Sequence, residues 1–145
     1  MRPANPPRDL AHLLSQVERR VTSQLRAVLE PEGCAIEEWR VLMLLSDGAG
    51  HTMSEIADYA LLPAPTLTKV VDRLVANNAV YRRVDPSDRR RVRAFLTPRG
   101  KDFYRRLAHR TEHCQAALLA ASHDGRTLRE LLIRLADGLS EVEVV

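Results

Sequence analysis

Apolar residues recur at intervals of three and four along the first part of the chain. This spacing predicts a long amphipathic helix over about residues 9–29, with a narrow apolar seam like that of a coiled coil. Pro31 and Gly33 follow and are expected to end the helix. The seam consists of Leu10, Leu14, Val17, Val21, Leu25 and Val28.

Two further helices are predicted next. A nearly continuous apolar face from Glu37 to Leu45 indicates a helix covered on several sides, and the glycine-containing segment 47–50 breaks it. Thr52 and Glu55 have the spacing of a capping box, in which each residue satisfies the other's backbone amide. A short helix is therefore predicted to begin at this point.

Prolines separate this short helix from the one that follows. Pro63 and Pro65 suit a linker and a first helical turn but not a helix interior. We therefore predict the next helix over residues 64–77. Its buried face is formed by Leu67, Val70, Val71 and Leu74.

The periodicity changes near residue 80. Residues 80–84 and 92–96 are rich in β-branched and apolar side chains, and the segment 85–88 between them is rich in turn-forming residues. The pattern predicts a two-stranded hairpin. Thr97 and Pro98 then form the N-cap and first turn of a long helix.

The last helix is predicted to follow a break at residues 123–125. Thr127 and Glu130 have the spacing of a second capping box. The helix carries a single apolar stripe, formed by Leu128, Leu131, Leu132, Leu135 and Leu139.

The composition fits one compact domain, or one domain plus an oligomerisation arm. The chain has 145 residues, of which 45% are hydrophobic and only 4% aromatic, and this favours a helical core over a β-sandwich. No stretch of 18 apolar residues occurs, and residues 1–8 are polar and proline-rich, so we expect neither a membrane span nor a secretion signal. Two cysteines are too few for a disulfide framework, which favours the cytoplasm.

The positive charge of the chain is concentrated in one segment. Residues 82–93 contain six arginines against two aspartates, whereas the whole chain has a net charge of only +3. Because the remainder is slightly negative, the predicted hairpin is the part of the chain that we expect to meet an anion.

The predicted order of elements is typical of a winged helix-turn-helix: a mainly α fold with a small β-hairpin wing. Residues 36–97 would form the DNA-binding unit, and residues 9–30 and 98–142 a helical dimerisation region. A helix fits the major groove of double-stranded DNA, and an arginine-tipped hairpin can reach the narrow minor groove beside it. The base-reading candidates are in the first turns of the helix over 64–77: Ala64, Pro65, Thr66, Thr68 and Lys69, with Arg73 as a phosphate contact.

The hairpin also carries a specific family motif. The segment Asp-Pro-Ser-Asp-Arg-Arg at 85–90, followed by Phe-Leu-Thr-Pro-Arg-Gly at 95–100, resembles the MarR-type (multiple antibiotic resistance regulator) transcription factors. The segments at 39–42, 54–57 and 71–74 also resemble those of this family, and the resemblance covers nearly the whole chain.

This resemblance implies a homodimer that binds a palindromic operator and often responds to a small molecule or an oxidant. It also implies that Asp88 and Arg90 shape the wing and that Arg89 or Arg91 enters the minor groove. One position departs from the family, which commonly has glycine before the first wing strand. Asn78 could adopt the left-handed conformation in its place.

The long apolar stripes support a dimer independently of the family. The stripes of the first and last helices exceed what the central domain could cover, and exposed stripes of this length mark interfaces. In such a dimer, two reading helices about 34–36 Å apart would meet successive major grooves.

Residues of the first and second helices are candidates for an effector site. His12, Gln16 and Arg20 share one helix face and could hold a small aromatic or phenolic ligand, although a solvated face is the simpler interpretation. Trp39 fits the core, but by the family resemblance it could instead line the effector pocket.

Two sensing alternatives remain open within the same fold. His109 and His113 have the spacing of metal ligands on one helix, although the second helix has Trp39 and Arg40 where further ligands would be needed. Cys34 is a candidate oxidant sensor, whereas Cys114 is expected to be inert core. We expect no metal and no cofactor.

Catalytic motifs are missing from the sequence. It contains no Gly-rich phosphate loop, no nucleophile elbow and no metalloprotease helix, which argues against an enzyme. The alternative from another class is a winged helix that binds protein rather than DNA. Such a module would keep the apolar stripes but would not need the arginines at the tip of the hairpin.

Overall fold

A computed structural model describes residues 6–142, and its described part is mainly helical. The helices are α1 (Leu10–Leu29), α2 (Ile36–Leu45), α3 (Met53–Ala60), α4 (Ala64–Ala76), α5 (Pro98–Ala120) and α6 (Gly125–Glu141). The strands are β1 (His51–Thr52), β2 (Val80–Val84) and β3 (Val92–Leu96). The predicted winged helix-turn-helix architecture is confirmed, while residues 1–5 of the polar N-terminal segment lie outside the described residues.

Three of the predicted helix starts are confirmed by side-chain caps. The Asp9 carboxylate accepts from the amide of His12 at 2.7 Å and begins α1. Thr52 and Glu55 form the predicted capping box at the start of α3. The Thr97 hydroxyl accepts from an amide in the first turn of α5 at 2.9 Å. Such caps satisfy amides that a helix cannot satisfy itself.

The predicted start of α6 is wrong. Asp124, not Thr127, is the N-cap, and its carboxylate accepts from the Thr127 amide at 3.2 Å. The helix therefore begins at Gly125, and Thr127 lies in its first turn instead of before it. A capping box and an Asp cap three residues earlier are similar in sequence, because both place a short polar side chain before an apolar run.

The sheet has three strands instead of the predicted two. Strand β1 pairs antiparallel with β3, which pairs antiparallel with β2, so the strand order is β1-β3-β2. β1 has only two residues, too few to show any periodicity in the sequence. Its pairing attaches the hairpin to the segment just before α3 and so fixes the wing to the helix-turn-helix.

The core lies between α2, α3, α4 and the sheet. The inner face of α4 is buried as predicted, and α2 contributes several fully buried side chains. The turn between α3 and α4 passes through Leu61 at a φ of +58°, in the left-handed region. The Arg40 guanidinium of α2 donates to the carbonyl of Ala60 beside this turn, at 3.4 Å. The core fixes the position of α4 against its neighbours.

Asn78 takes the left-handed conformation predicted for it, with a φ of +61°. Its carbonyl accepts from the Thr97 hydroxyl at 2.6 Å, which connects the start of the hairpin to the start of α5. Gly100 lies against the same segment, because a Cβ at that position would come within 2.0 Å of the Ala79 carbonyl oxygen. Any side chain at position 100 would therefore push the wing away from α5.

The terminal helices leave their apolar stripes exposed. Among the residues that the structure describes, α1 buries only Leu29 and α6 buries none. Leu131 and Leu139 are 54% and 57% exposed. No helix in the described part of the chain is long and apolar enough to cross a membrane.

Candidate nucleic-acid interface

Helix α4 presents a buried face and an open face. The predicted reading residues lie on the open face or at the exposed start of the helix, and all are solvent-exposed: Ala64, Pro65, Thr66, Thr68, Lys69 and Arg73. The Thr68 hydroxyl donates back to the Ala64 carbonyl at 3.0 Å, and its oxygen can still accept a hydrogen bond. Within residues 6–142, Lys69 and Arg73 form no ion pair, so both cations are available to an external anion.

An ion pair connects α4 to the hairpin. The Arg82 guanidinium of β2 donates to the carboxylate of Asp72, in the C-terminal half of α4. Asp72 lies beside the reading residues, and its negative charge would repel phosphate if it stood alone. The pair neutralises that charge and links the helix to the hairpin. No local sequence pattern indicates this pair, since ten residues and a turn separate the two partners.

The wing tip carries exposed arginines on a turn shaped by one aspartate. Asp88 accepts from the amide of Arg90 at 3.0 Å, and its carboxylate lies 3.7 Å from the Arg91 guanidinium. The first contact is an Asx turn, in which a carboxylate replaces a backbone acceptor and stabilises the bend. Arg89, Arg90 and Arg91 are all exposed at the end of the hairpin.

The wing base is fixed by a second ion pair that the sequence pattern did not predict. Asp85 is buried and accepts from both the amide and the hydroxyl of Ser87, at 2.9 and 2.7 Å. It also accepts from the Arg93 guanidinium at 2.8 Å, which donates in addition to the Gly50 carbonyl at 3.1 Å. The arginine, together with the Ser87 donors, holds the pKa of the Asp85 carboxyl well below its usual range. The same pair raises the pKa of Arg93.

These two pairs change the interpretation of the charge pattern. Arg82 and Arg93 belong to the basic run but are engaged with Asp72 and Asp85, so they support the wing instead of contacting an external anion. The outward cations are the remaining arginines of the hairpin, at positions 83, 89, 90 and 91. Counting arginines along the sequence identifies the basic hairpin but not which of its side chains point outward.

The predicted effector residues do not form one site within the chain. His12, Gln16 and Arg20 line an open concavity of about 390 Å³ on the outer surface of α1. Trp39 is 3% exposed and stacks on Tyr104 of α5, with ring centroids 5.4 Å apart. The described chain thus places Trp39 in the core between α2 and α5, away from the other three.

The sensing alternatives gain little support. Burial, followed by two nearby glutamates, raises the pKa of the Cys34 thiol to about 12, so the reactive thiolate is scarce at neutral pH. Cys114 is half-buried, which corrects its expected place in the core. The rings of His109 and His113 are in edge contact, 5.4 Å between centroids, and no group of three metal-ligand side chains occurs among the described residues.

Comparison with known proteins identifies the family. The sequence model that describes the MarR family matches residues 35–91, which extend from the start of α2 into the wing. YwoH of Bacillus subtilis (strain 168), an uncharacterized HTH-type transcriptional regulator, is 31% identical over 81% of this chain and 85% of its own length. The HTH-type transcriptional repressor Rv2887 of Mycobacterium tuberculosis is 29% identical over 77% of this chain and 80% of its own.

Solved structures agree with the sequence comparison. The MarR family regulator SPO1453 from Silicibacter pomeroyi has a TM-score of 0.79 at 27% identity, over 90% of this chain and 94% of its own. Rv2887 in complex with p-aminosalicylic acid has a TM-score of 0.70 at 25% identity, over 92% of this chain and 99% of its own. These relatives are regulators of transcription and not enzymes. The chain therefore belongs to the MarR family of HTH-type transcriptional regulators.

Proposed function

We propose that this protein is a cytoplasmic, homodimeric repressor that binds a palindromic operator and is released from it by a small aromatic or phenolic ligand. Each subunit would place α4 in a major groove and its wing in the adjacent minor groove. Ala64, Pro65, Thr66, Thr68 and Lys69 would face the base edges, and Arg73 a phosphate. Arg89, Arg90 and Arg91 would approach the minor groove, where the potential is most negative.

The observation that carries this proposal is the fixed pairing of two exposed cationic elements. Within residues 6–142, the cations on the open face of α4 and at the wing tip form no internal ion pair apart from the long contact between Asp88 and Arg91. Contacts within the chain connect both elements to the core: the Asp72–Arg82 pair links α4 to β2, and Arg93 links the wing base to the segment before β1. A fixed spacing between helix and wing is what two adjacent grooves of one duplex require.

The homodimer is supported by the exposed stripes of α1 and α6. A stripe of leucines along a whole helix is unfavourable in water, and a second copy of the chain would cover it. Residues 9–30 and 98–142 would then form the dimerisation region, and residues 36–97 would form the DNA-binding unit.

Repression and the binding of an aromatic ligand are supported by a relative. Rv2887 is a transcriptional repressor and has been solved in complex with p-aminosalicylic acid, an aromatic acid. In this chain, His12, Gln16 and Arg20 on α1 and the stacked pair of Trp39 and Tyr104 are the candidate contacts for such a ligand. The three α1 side chains would reach the Trp39–Tyr104 pair only if they came from the partner subunit or if α1 rearranged.

The proposal is tested by fluorescence anisotropy with a labelled duplex from the region upstream of the protein's own gene. At about 100 mM salt we expect binding, which the combined Arg89→Ala, Arg90→Ala and Arg91→Ala variant weakens at least about tenfold. Arg105→Ala is the matched control, because Arg105 is exposed on α5 and pairs with Asp102 away from the wing. Addition of p-aminosalicylate should lower the affinity for DNA.

Failure to bind any duplex under these conditions would favour the protein-binding module. Binding that p-aminosalicylate leaves unchanged would remove the proposed ligand class but leave the DNA-binding role intact.

A further inference from the structure

A small cavity lies at the C-terminal end of α4, at the opposite end of the helix from its reading residues. It measures about 240 Å³ and is bordered by the last turn of α4, by α2 and by the first turns of α5; we name it the α4–α5 cleft. Leu74 and Phe103 form part of its apolar wall. Sites for drug-sized molecules measure about 300–1,000 Å³, so this cleft suits a smaller molecule.

A buried carboxylate lines the cleft without a strong partner. Glu38 is 7% exposed, and one of its oxygens accepts from the Ala35 amide at a long 3.4 Å. The described part of the chain offers its carboxylate no other hydrogen bond and no ion pair, whereas Glu32, which also borders the cleft, pairs with Arg110 at 3.0 Å. No buried side-chain oxygen among the described residues lacks a hydrogen-bond partner, so the second Glu38 oxygen is accessible to solvent. Glu38 therefore has unused capacity to accept from a donor in the cleft.

Two arginines line the same cleft and are also without an ion-pair partner. Arg99 and Arg106 are seven residues apart on α5, which places them on one helix face. Neither has a carboxylate partner within residues 6–142, whereas Arg105 and Arg110 on the same helix do. The Arg106 guanidinium lies over the Phe103 ring at 5.6 Å from its centroid, a contact that leaves its N–H edges free.

The cleft thus combines opposite charges that do not neutralise each other. A simple anion would be attracted by the two guanidinium groups but repelled by Glu38. A simple cation would be attracted by Glu38 but repelled by the guanidinium groups. A molecule with both charges matches both sides. We propose that the α4–α5 cleft binds a small zwitterion of the α-amino acid class, with its ammonium group on Glu38 and its carboxylate on Arg99 and Arg106.

A ligand in this cleft would be a second regulator of DNA binding. That regulatory role rests on the proposed function, whereas the binding of the ligand itself does not. A ligand in the cleft contacts both the last turn of the reading helix and α5, so it would couple the position of α4 to the terminal helices. The cleft is separate from the stacked pair of Trp39 and Tyr104 and from the α1 concavity, since neither contributes to its lining.

The test is isothermal titration calorimetry of the full-length protein with three probes of similar shape. L-leucine carries both charges, 3-methylbutylamine lacks the carboxylate, and 4-methylpentanoate lacks the ammonium group. We expect L-leucine to bind, and each single-charged probe to bind at least about tenfold more weakly, because each lacks one set of charge-assisted hydrogen bonds. Failure of L-leucine to bind, or equal binding of all three probes, would overturn the proposal.

Variants locate the binding within the cleft. Glu38→Gln and the double variant Arg99→Gln with Arg106→Gln should each weaken L-leucine binding at least about tenfold. Arg105→Gln, on the same helix but paired with Asp102, should bind L-leucine as the wild type does. Unchanged binding in the double variant would show that L-leucine binds elsewhere and would refute the site.

If Glu38→Gln fails to fold, the double variant Arg99→Gln with Arg106→Gln still tests the site. Both arginines are exposed, so we expect this variant to fold. Circular dichroism checks the fold of each variant. The titrations contain no DNA, so a failure of the cleft leaves the proposed repressor intact, and a failure to bind DNA leaves these titrations unaffected.

Discussion

Residues 36–97 form a buried apolar core within the chain, whereas α1 and α6 leave most of their apolar side chains in solvent. The inner face of α4 is fully covered by α2, α3 and the sheet, while no described residue of α6 is buried. Both helices carry a clean apolar stripe at helical spacing. The difference shows that a stripe predicts a helix and a contact but does not say whether the contact lies in the same chain.

Mutations in the two regions should therefore have different consequences. Changes on the terminal helices should act through assembly, and changes in residues 36–97 through the geometry or chemistry of DNA binding. Four predictions separate these two routes, in order of decreasing effect.

The largest effect is expected from α6. The variant Leu131→Asp with Leu132→Asp places charges on the exposed stripe and should prevent formation of the proposed dimer. DNA affinity should fall by about 100-fold or more, because the two half-sites are no longer bound by one linked unit. Analytical ultracentrifugation and DNA titration measure the two effects, and Asp137→Ser on the opposite helix face is the control. A variant that stays dimeric would show that the stripe is not the interface.

The wing base should give the next largest effect. Asp85→Asn removes the charge that pairs with Arg93, and we expect the wing to lose its fixed orientation and DNA affinity to fall about tenfold. The double variant Asp85→Asn with Arg93→Gln should lower DNA affinity little more than either single change does, because both changes break the same interaction. Additive losses in a double-mutant cycle of DNA affinities would mean that the two side chains act independently.

The reading helix should show a smaller effect that concerns selectivity. Lys69→Ala and Thr66→Ala remove exposed groups from the open face of α4 without disturbing its buried side. Each should change the preference among operator sequences by several-fold, up to about tenfold, and alter non-specific affinity less. Competition titrations with single-base operator variants measure this, and a variant with unchanged preference would mean that another part of the protein reads the bases.

The smallest effect is the pH dependence of the wing base. The pKa of Asp85 in the folded protein lies below its unfolded value of about 3.9. The ion pair therefore contributes its full stability above that value and loses it as the pH falls through the lower, folded pKa. The difference in unfolding free energy between wild type and Asp85→Asn should be constant above about pH 5 and shrink below about pH 4. Urea denaturation across this range provides the data, and a difference that grows on acidification would contradict the assignment.

Sequence patterns predicted the helices and the hairpin because each has a periodic apolar face and, in most cases, a recognisable cap. They missed β1, since two residues show no period, and they misplaced the start of α6 because a Thr–Glu pair followed the true cap, Asp124. The errors are local and leave the architecture unchanged.

The candidate interface was predictable only in part. Exposure of the reading residues follows from helical geometry, since they alternate with the buried positions of α4. The partner of Arg82 depends on how β2 lies against α4, and the partner of Arg93 depends on the turn at Asp85; no local pattern specifies either. In the proposed dimer, contact between the polar face of α1 and Trp39 would depend on the arrangement of two subunits, which no local pattern in the sequence specifies.

The central claim is that paired subunits place the reading helix and the arginine-tipped wing on one duplex. The most direct measurement is the salt dependence of DNA affinity for the wild type and for the variant with Arg89, Arg90 and Arg91 changed to alanine. A plot of log affinity against log salt should be steeply negative for the wild type. In the variant it should be shallower, by about 0.9 for each phosphate that the wing no longer neutralises. A flat wild-type plot, or the same slope for both proteins, would contradict the account.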